Sequence, residues 1–344
     1  MHMADALLSP AVGGAMWAAT AGTTFYCSRK LGQELDDSKI PLMGVLGAFV
    51  FAAQMINFTI PGTGSSGHLG GGLLLAVLLG PHAAFLVIAS VLTVQALFFA
   101  DGGLLALGSN IFNLGVFPCF LAYPLIFKKI VADCPSRGKL LAGSLVAAVV
   151  SLQLGSLAVV VQTTLSGIAE LPFAVFILLM QPIHLAIGLV EGLATAAVIS
   201  FLWQARPELL APPVCGAPAG KHGMRPILGG LLAAALLIGG VFSWFASERP
   251  DGLEWSMAKT SGGREVEGPA SDLHRSLARL QEKTALLPDY AFKKGPENKE
   301  GPGTWGSPKA ETTVAGVVGG MLILLAVVLG GLLLKKKQKM SRVD

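Results

Sequence analysis

The first two residues, Met1 and His2, carry three nitrogens that could chelate one ion: the α-amine, the amide between the residues and the imidazole Nδ1. Binding through all three closes fused five- and six-membered rings, which hold the donors nearly in one plane. A fourth nitrogen would complete the square-planar field that Ni(II) or Cu(II) favours. The amide must lose its proton, which the metal itself promotes. The alternative interpretation is a frayed terminal histidine with no role.

A second candidate is the loop from Pro61 to Gly72, which contains His68. The loop is too polar and glycine-rich to span a bilayer, yet it lies between apolar segments. Non-helical backbone at membrane depth is tolerated only where protein buries it or where it lines a cavity. The glycines would let the chain fold inward and bring His68 to a buried ion. A flexible external turn with a solvated histidine is the competing interpretation.

Asp101, Asn110 and Asn113 form a third group, beside a Gly-Gly turn between two apolar segments. Polar groups so near the hydrocarbon need partners. They could orient the binding segments, because a metal-bound imidazole usually donates its other N–H to an oxygen. Capping of a helix by Asp101 is an equally good explanation.

A fourth group lies in the last apolar segment before residue 206, where His184, Gly188 and Glu191 share one helical face. An intramembrane histidine and glutamate are functional candidates by default. A histidine–carboxylate network that locks helices together is the alternative. The small residues Gly188 and Gly192 favour a helix-packing face.

The elements that must position these residues are membrane helices. The chain has 344 residues, of which 53% are hydrophobic and 13% charged, and its mean hydropathy is +0.65. This composition predicts an all-α integral membrane protein in a lipid bilayer. The formal net charge is +4, and the basic residues lie in loops rather than in one patch, which argues against a nucleic-acid partner.

The apolar segments predict two membrane domains. Residues 1–205 form the first domain, residues 206–226 a Pro-rich cytoplasmic linker and residues 227–344 the second domain. The first domain is expected to have seven spans, near 10–27, 41–58, 69–80, 82–100, 104–127, 139–164 and 173–203. The second has two spans, near 227–246 and 313–334, joined by an external polar stretch that is expected to be largely flexible apart from an amphipathic piece, Asp272 to Leu287.

Lysine and arginine in short loops predict the orientation, because such loops stay in the cytoplasm. Basic residues follow the first and fifth spans, and Lys335, Lys336 and Lys337 follow the last. The amino-terminus and the His68 loop are then external, and the carboxyl-terminus is internal. His2 should also block removal of Met1, and the opening lacks the basic segment of a cleaved secretory signal. A multi-pass protein of a bacterial cytoplasmic (inner) membrane is expected.

Several signals are absent from the sequence. It has no HExxH, no GxxxxGK[ST] phosphate loop and no GxSxG elbow. The four cysteines, Cys27, Cys119, Cys134 and Cys215, show no CxxC spacing and are interpreted as structural or incidental. Active transport would therefore need a separate ATP-hydrolysing partner.

These motifs together resemble the CbiM/NikM family, the substrate-binding (S) component of energy-coupling-factor (ECF) cobalt and nickel transporters. The resemblance covers residues 1–205 and rests on these motifs, in this order: Met1-His2, Leu7-Leu8-Ser9-Pro10, Gln54 to Phe58, Ser66 to Gly71, Asp101-Gly102-Gly103 and His184 to Gly192. Asn57 and Ser66 therefore join Asp101, Asn110, Asn113, His184 and Glu191 as candidates for supporting the site. The opening Met3-Ala4-Asp5-Ala6 differs from the commoner family pattern.

The resemblance implies a seven-helix bundle with the amino-terminal segment tucked into its centre. It implies that the ion binds the Met1 amine, the His2 amide and imidazole, and His68. It further implies a membrane-embedded CbiQ/NikQ-like coupling subunit and CbiO/NikO-like ATPase subunits as partners. The second domain, with Pro250 to Glu254 reading PDGLE, resembles the small CbiN/NikN accessory protein, which is thought to help load the metal.

We therefore favour a non-enzymatic importer component with Ni²⁺ or Co²⁺ as its transported ligand and no cofactor. Nickel is placed ahead of cobalt because four planar nitrogens suit Ni(II); cobalt would serve cobalamin biosynthesis. A metal-dependent membrane enzyme using His68, His184 and Glu191 is one alternative. An S component for an organic vitamin is another, although aromatic residues make up only 7% of the chain.

Overall fold

The computed structural model describes residues 2–35, 39–132, 135–168, 171–206, 223–263, 271–293 and 308–340. Met1, Cys134, Cys215 and His222 lie outside these ranges. The helices of the first domain are α1 Pro10–Glu34, α2 Lys39–Gln54, α3 Gly72–Leu79, α4 Pro81–Phe98, α5 Leu107–Val131, α6 Arg137–Ser166 and α7 Phe173–Ala205. Those of the second are α8 Met224–Gly240, α9 Gly252–Thr260, α10 Asp272–Thr284 and α11 Ala310–Met340.

Within the residue ranges that the structure describes, five helices are long and apolar enough to cross a membrane: α4, α5, α6, α7 and α11. Two more, α2 and α8, are apolar but shorter. Helix α3 has eight residues and rises about 12 Å at 1.5 Å per residue, which is less than half of the hydrocarbon thickness. The chain is therefore a predominantly helical multi-pass membrane protein, as its composition predicts.

Local sequence explains where several helices begin and end. Helix α1 starts at Pro10, and the Ser9 side chain caps it by accepting the Val12 N–H. The predicted break at Gly80-Pro81 is present, since Gly80 has a φ of +80° and Pro81 opens α4. Helix α5 has a π-helical middle, Phe112–Phe127, which contains two prolines that cannot donate to a helical ladder.

Helices α6 and α7 pack closely through the small residues that the sequence singles out. A Cβ on Gly188 would crowd the backbone of Val149, and one on Gly192 would crowd that of Leu145. The packing-face interpretation of these glycines is therefore confirmed. The contact leaves His184 and Glu191 buried on α7.

The second domain packs against the first along α2, where a Cβ on Gly319 of α11 would overlap the Phe51 ring. Between its two apolar helices, α9 and α10 cover 252–260 and 272–284. The backbone N–H groups of Leu286 and Leu287 donate to Phe98 O, and the Ser247 N–H donates to Asn57 O. Helix α10 lies in the predicted amphipathic piece, 272–287, whereas the expectation of flexibility is wrong for 247–263, because the first domain supplies hydrogen-bond partners that sequence alone does not reveal.

Candidate metal centre

The amino-terminal segment is buried in the bundle, held mainly by Asn110. The Met3 N–H donates to Asn110 Oδ1 at 2.8 Å, and Asn110 Nδ2 donates to Met3 O at 3.2 Å. Gly103 N–H also donates to Met3 O. The Asp5 carboxylate accepts the Ala106 N–H at 2.9 Å. Because Met3 is fully buried, these contacts fix the position of its neighbour His2.

His2 and His68 lie face to face, with ring centroids 4.9 Å apart and planes 20° from parallel. Only 7% of the His2 side chain is exposed, and its Nε2 is buried without a hydrogen-bond partner among the described residues. His68 follows β2 (Ser66–Gly67), which pairs with β1 (Phe58–Thr59) in an antiparallel hairpin. The structure therefore brings together the two histidines that sequence selects.

Loss of hydration on burial, together with the nearby His2, lowers the pKa of His68 to about 3. The ring is consequently neutral at pH 7, which is the form that binds a metal ion. A metal ion would not have to displace a proton from it.

Asp101 contacts His2 directly, with Oδ1 2.8 Å from Nδ1. Burial alone would raise the pKa of Asp101, but the adjacent His2 and a hydrogen bond from Tyr290 hold it well below its usual value. An ionised carboxylate can only accept hydrogen bonds, so Nδ1 of His2 is the donor in this contact. A chelate through Nδ1, as the sequence predicts, therefore requires the His2 ring to exchange Asp101 for the ion.

The segment that follows His68 is held by Glu191 and Gln54. The Glu191 carboxylate accepts the N–H groups of Gly70 at 2.7 Å and of Gly71 at 3.1 Å, at the start of α3. Gln54 Nε2 donates to Gly70 O at 2.8 Å. Glu191 therefore holds the backbone of the His68 loop in place. This role differs from both roles that the sequence suggests, a metal ligand and a partner of His184 in a network that locks helices together.

Glu191→Gln should destabilise the protein and weaken metal binding, because an amide presents an N–H₂ group to one of the two buried backbone N–H groups. Loss of one hydrogen bond to a charged acceptor costs about 1.5–3 kcal/mol. Thermal unfolding in detergent and metal titration would measure both effects. The control is Glu248→Gln, an exposed residue paired with Lys309, which should change neither. Equal behaviour of the two variants would contradict this role of Glu191.

The remaining predicted residues support the site from a distance. Asn113 pairs with Gln162 on α6, with reciprocal amide bonds of 3.0 and 2.9 Å, and its Nδ2 lies 3.9 Å from Met3 Sδ. The Asn57 carbonyl accepts the Ser247 N–H at 2.7 Å. Both contacts hold segments that flank the two histidines.

Ser66 links the His68 loop to the second domain. Its N–H donates to Pro250 O at 2.8 Å, and its hydroxyl donates to Arg249 O at 2.8 Å. A parallel bridge to Asp251 continues the pairing. The PDGLE segment therefore lies beside the loop, joined to it by these hydrogen bonds and one isolated β-bridge, and Asp251 lines the cavity that contains His68.

The enzyme alternative required His68, His184 and Glu191 to bind one ion, and that is wrong. His184 Nδ1 faces Met180 O at 2.8 Å within its own helix, while Glu191 holds backbone amides. In the part of the chain that the structure describes, no three His, Cys, Asp or Glu side chains form a metal-binding group.

The two histidines open on a cavity of about 680 Å³ that both domains line. Its second-domain residues were not predicted as site residues; they are Arg249, Asp251, Glu254, His274, Arg275, Ala278, Gln281, Asp289 and Tyr290. The sequence feature that could have pointed to some of these residues is the predicted amphipathic piece, because α10 occupies its first thirteen residues. The helix turns His274, Ala278 and Gln281 towards the cavity, whereas Leu273 and Leu280 of the same helix are exposed.

The structure corrects the interpretation of His274 as a linker residue. A position in a linker predicts that it tolerates alanine, but it lies in α10 and is 8% exposed. Its Nε2 is 3.2 Å from Asp5 O and 3.0 Å from Leu8 O, so it ties the second domain to the amino-terminal segment. Replacement by alanine would leave two carbonyls of that segment without this donor.

Comparisons with known proteins agree with this architecture. The family model for the cobalt uptake substrate-specific transmembrane region matches residues 2–209, and the PDGLE domain matches 225–336. A putative fused nickel transport protein NikMN of Archaeoglobus fulgidus is 31% identical over 325 residues, covering 93% of this chain and 94% of its own. The fused nickel transport protein NikMN of Rhodobacter capsulatus is 33% identical over 315 residues, covering 85% and 88%.

A solved structure of a truncated transition metal transporter is also similar, with a TM-score of 0.52 and 30% identity; the match covers 59% of this chain and 98% of that one. The helical membrane fold and these relatives define a metal transport protein rather than an enzyme. The chain belongs to the cobalt uptake substrate-specific transmembrane family, and it carries a PDGLE domain in the same polypeptide.

Proposed function

We propose that this chain is the substrate-binding component of an ECF-type transporter that imports a divalent transition metal, with nickel ahead of cobalt. The ion is bound by the Met1 amine, the His2 amide and imidazole, and His68. The observation that carries the proposal is the pair of stacked imidazoles, His2 and His68, whose ring centroids lie 4.9 Å apart beside the amino-terminal segment. Two imidazoles and the terminal nitrogens within reach of one ion make up the four-nitrogen donor set that such an ion needs.

Nickel is favoured by the donor set and by the relatives. Four nitrogens in one plane suit Ni(II), whereas carboxylate-rich octahedral sites suit harder ions. The two fused relatives carry nickel transport in their names, although the family model is named for cobalt uptake. Competition between Ni²⁺ and Co²⁺ for the purified protein would decide the preference.

The orientation of the chain follows from the ends of its helices. The cavity lies beside the start of α1 and the ends of α2 and α4, where His2, Gln54 and Asp101 are found. The opposite helix ends carry the basic residues Arg29, Lys39, Lys128, Lys129, Arg137, Lys335 and Lys336. With these in the cytoplasm, the cavity faces outward across a bacterial cytoplasmic membrane, and the first domain is a seven-helix bundle that includes α1, α2 and α3.

Partner subunits supply the energy, because the sequence has no nucleotide-binding loop. A membrane-embedded coupling subunit and two ATPase subunits are required for accumulation. The test is uptake of radioactive nickel by cells that express this chain with or without those subunits. Accumulation only with the complete set, and its loss when the phosphate-loop lysines of the ATPases are replaced, would support the proposal. Equal accumulation by the chain alone would refute the ECF assignment.

A further inference from the structure

Tyr290 is a second-domain residue that reaches the metal site of the first domain. It ends the short 3-10 turn Pro288–Tyr290, and its ring stacks on Phe99 with centroids 5.0 Å apart. The backbone of Asp289 and Tyr290 has φ values of 51° and 60°. This left-handed conformation is unusual for residues with large side chains. The Asp289 N–H donates to Phe99 O, which holds the turn against the end of α4.

On one side, the Tyr290 hydroxyl joins the segment that carries His2. It donates to Asp101 Oδ2 at 2.6 Å, and the other oxygen of that carboxylate lies 2.8 Å from His2 Nδ1. A carboxylate held at both oxygens has one orientation. The tyrosine therefore determines where Asp101 holds the His2 ring.

On the other side, the same hydroxyl joins the segment that carries His68. It accepts a hydrogen bond from Gln95 Nε2 at 3.2 Å, and Gln95 Nε2 also donates to Gln54 Oε1 at 2.9 Å. Gln54 in turn donates to Gly70 O, two residues after His68. Each donor and acceptor in this chain is used in a consistent direction, since the two hydrogens of one amide serve both partners.

We propose that Tyr290 is a positioning residue of the metal site, whose hydroxyl joins the hydrogen-bond chains that orient His2 and His68. The inference rests on the proposed metal-binding function. It assigns to the second domain a specific part in that function: once the segment 271–293 docks, the spacing of the two ligand-bearing segments is set. Metal binding and docking of the second domain are therefore coupled through one oxygen atom.

Tyr290→Phe isolates that atom. Phenylalanine keeps the ring that stacks on Phe99, so the turn stays docked, and it removes the hydroxyl. Without the hydroxyl, Asp101 loses a bond that fixes where it holds His2 before the ion binds, and the Gln95–Gln54 chain to the His68 segment loses its end. Weakened hydrogen-bond support around metal ligands typically lowers affinity about 10–100-fold. We expect a decrease of that size in Ni²⁺ affinity for the purified full-length chain, together with a changed ligand-field absorption spectrum at saturating Ni²⁺. The melting temperature should fall modestly, because Asp101 loses one hydrogen bond, and the chain should stay folded.

Two comparisons make the test specific. Tyr26→Phe is the matched control, because Tyr26 is exposed on α1, and it should bind Ni²⁺ as the unaltered chain does. Asp101→Asn tests the route to His2: because Tyr290 acts there through Asp101, the double variant should lose less affinity than the two single losses added together. Unchanged affinity and spectrum in Tyr290→Phe, or fully additive effects in the double variant, would overturn the proposal. Failure of the unaltered chain to bind Ni²⁺ would instead refute the proposed function.

Discussion

Removal of either imidazole should abolish high-affinity metal binding. His68→Ala and His2→Ala each delete one of four proposed donors, and the loss should exceed the roughly 10–100-fold that an outer hydrogen-bond partner is worth. The protein should remain folded, because both rings lie at the mouth of a cavity rather than in the apolar core. Titration of the purified protein with Ni²⁺, followed by calorimetry or by retained metal, measures the effect.

A second substitution at His2 is needed beside His2→Ala. Alanine at position 2 is small enough for the initiator methionine to be trimmed, which would remove the amine and the imidazole together. His2→Gln keeps a large residue there and so tests the imidazole alone. His82→Ala is the matched control, since His82 lies at the start of α4 against Tyr26 and Phe120. Metal retained at full affinity by His2→Gln or His68→Ala would refute the site.

Acetylation of the amino-terminus should have an effect as large as removal of an imidazole. The acetyl group removes the lone pair of the α-amine, so the terminal chelate cannot form. An extension of several residues should act in the same way. Extension by a single residue is not equivalent, because it places the histidine third, where an amine, two amides and Nδ1 could bind an ion without His68.

Metal titration of the acetylated and free forms, with intact mass measured on the same samples, gives the comparison. Mass also establishes that the mature chain begins at Met1. Acetylated protein that binds Ni²⁺ as tightly as the free form would show that the amine is not a donor. The same conclusion would follow if a chain that starts elsewhere imported metal normally.

Sequence alone predicts the membrane fold and the pair of histidines well, for physical reasons. Long apolar runs can only be helices in a bilayer, and the glycine-rich loop with one histidine cannot span. The break at Gly80-Pro81 and the packing face of Gly188 and Gly192 follow from residue types whose backbone requirements are strict.

The contribution of the second domain to the site could not be predicted in the same way. Tyr290 lies 189 residues from Asp101, and His274 lies 266 residues from Leu8; nothing local indicates either contact. The low hydrophobicity of the stretch 247–312 favours disorder when considered alone. The described part of the stretch is held by two sets of carbonyl groups. Those of Phe98 and Phe99 lie at the end of α4, where no further helical turn uses them, and those of Asp5 and Leu8 lie in the amino-terminal segment.

Glu191 illustrates an intermediate case. Its position two turns from His184, on the same helical face, predicts a buried functional or structural carboxylate. Glu191 is indeed buried in the structure. Its partners are the backbone amides of Gly70 and Gly71, which carry no side-chain signal. Pattern analysis identifies the residue but cannot identify a partner that consists of backbone alone.

The most direct test of the central claim is X-ray absorption and magnetic measurement on the nickel-loaded, full-length protein. The proposed donors predict four nitrogen ligands in a plane around a diamagnetic Ni(II), and two of these four ligands should be imidazole rings. Six-coordinate, paramagnetic nickel with mainly oxygen ligands would contradict the terminal chelate.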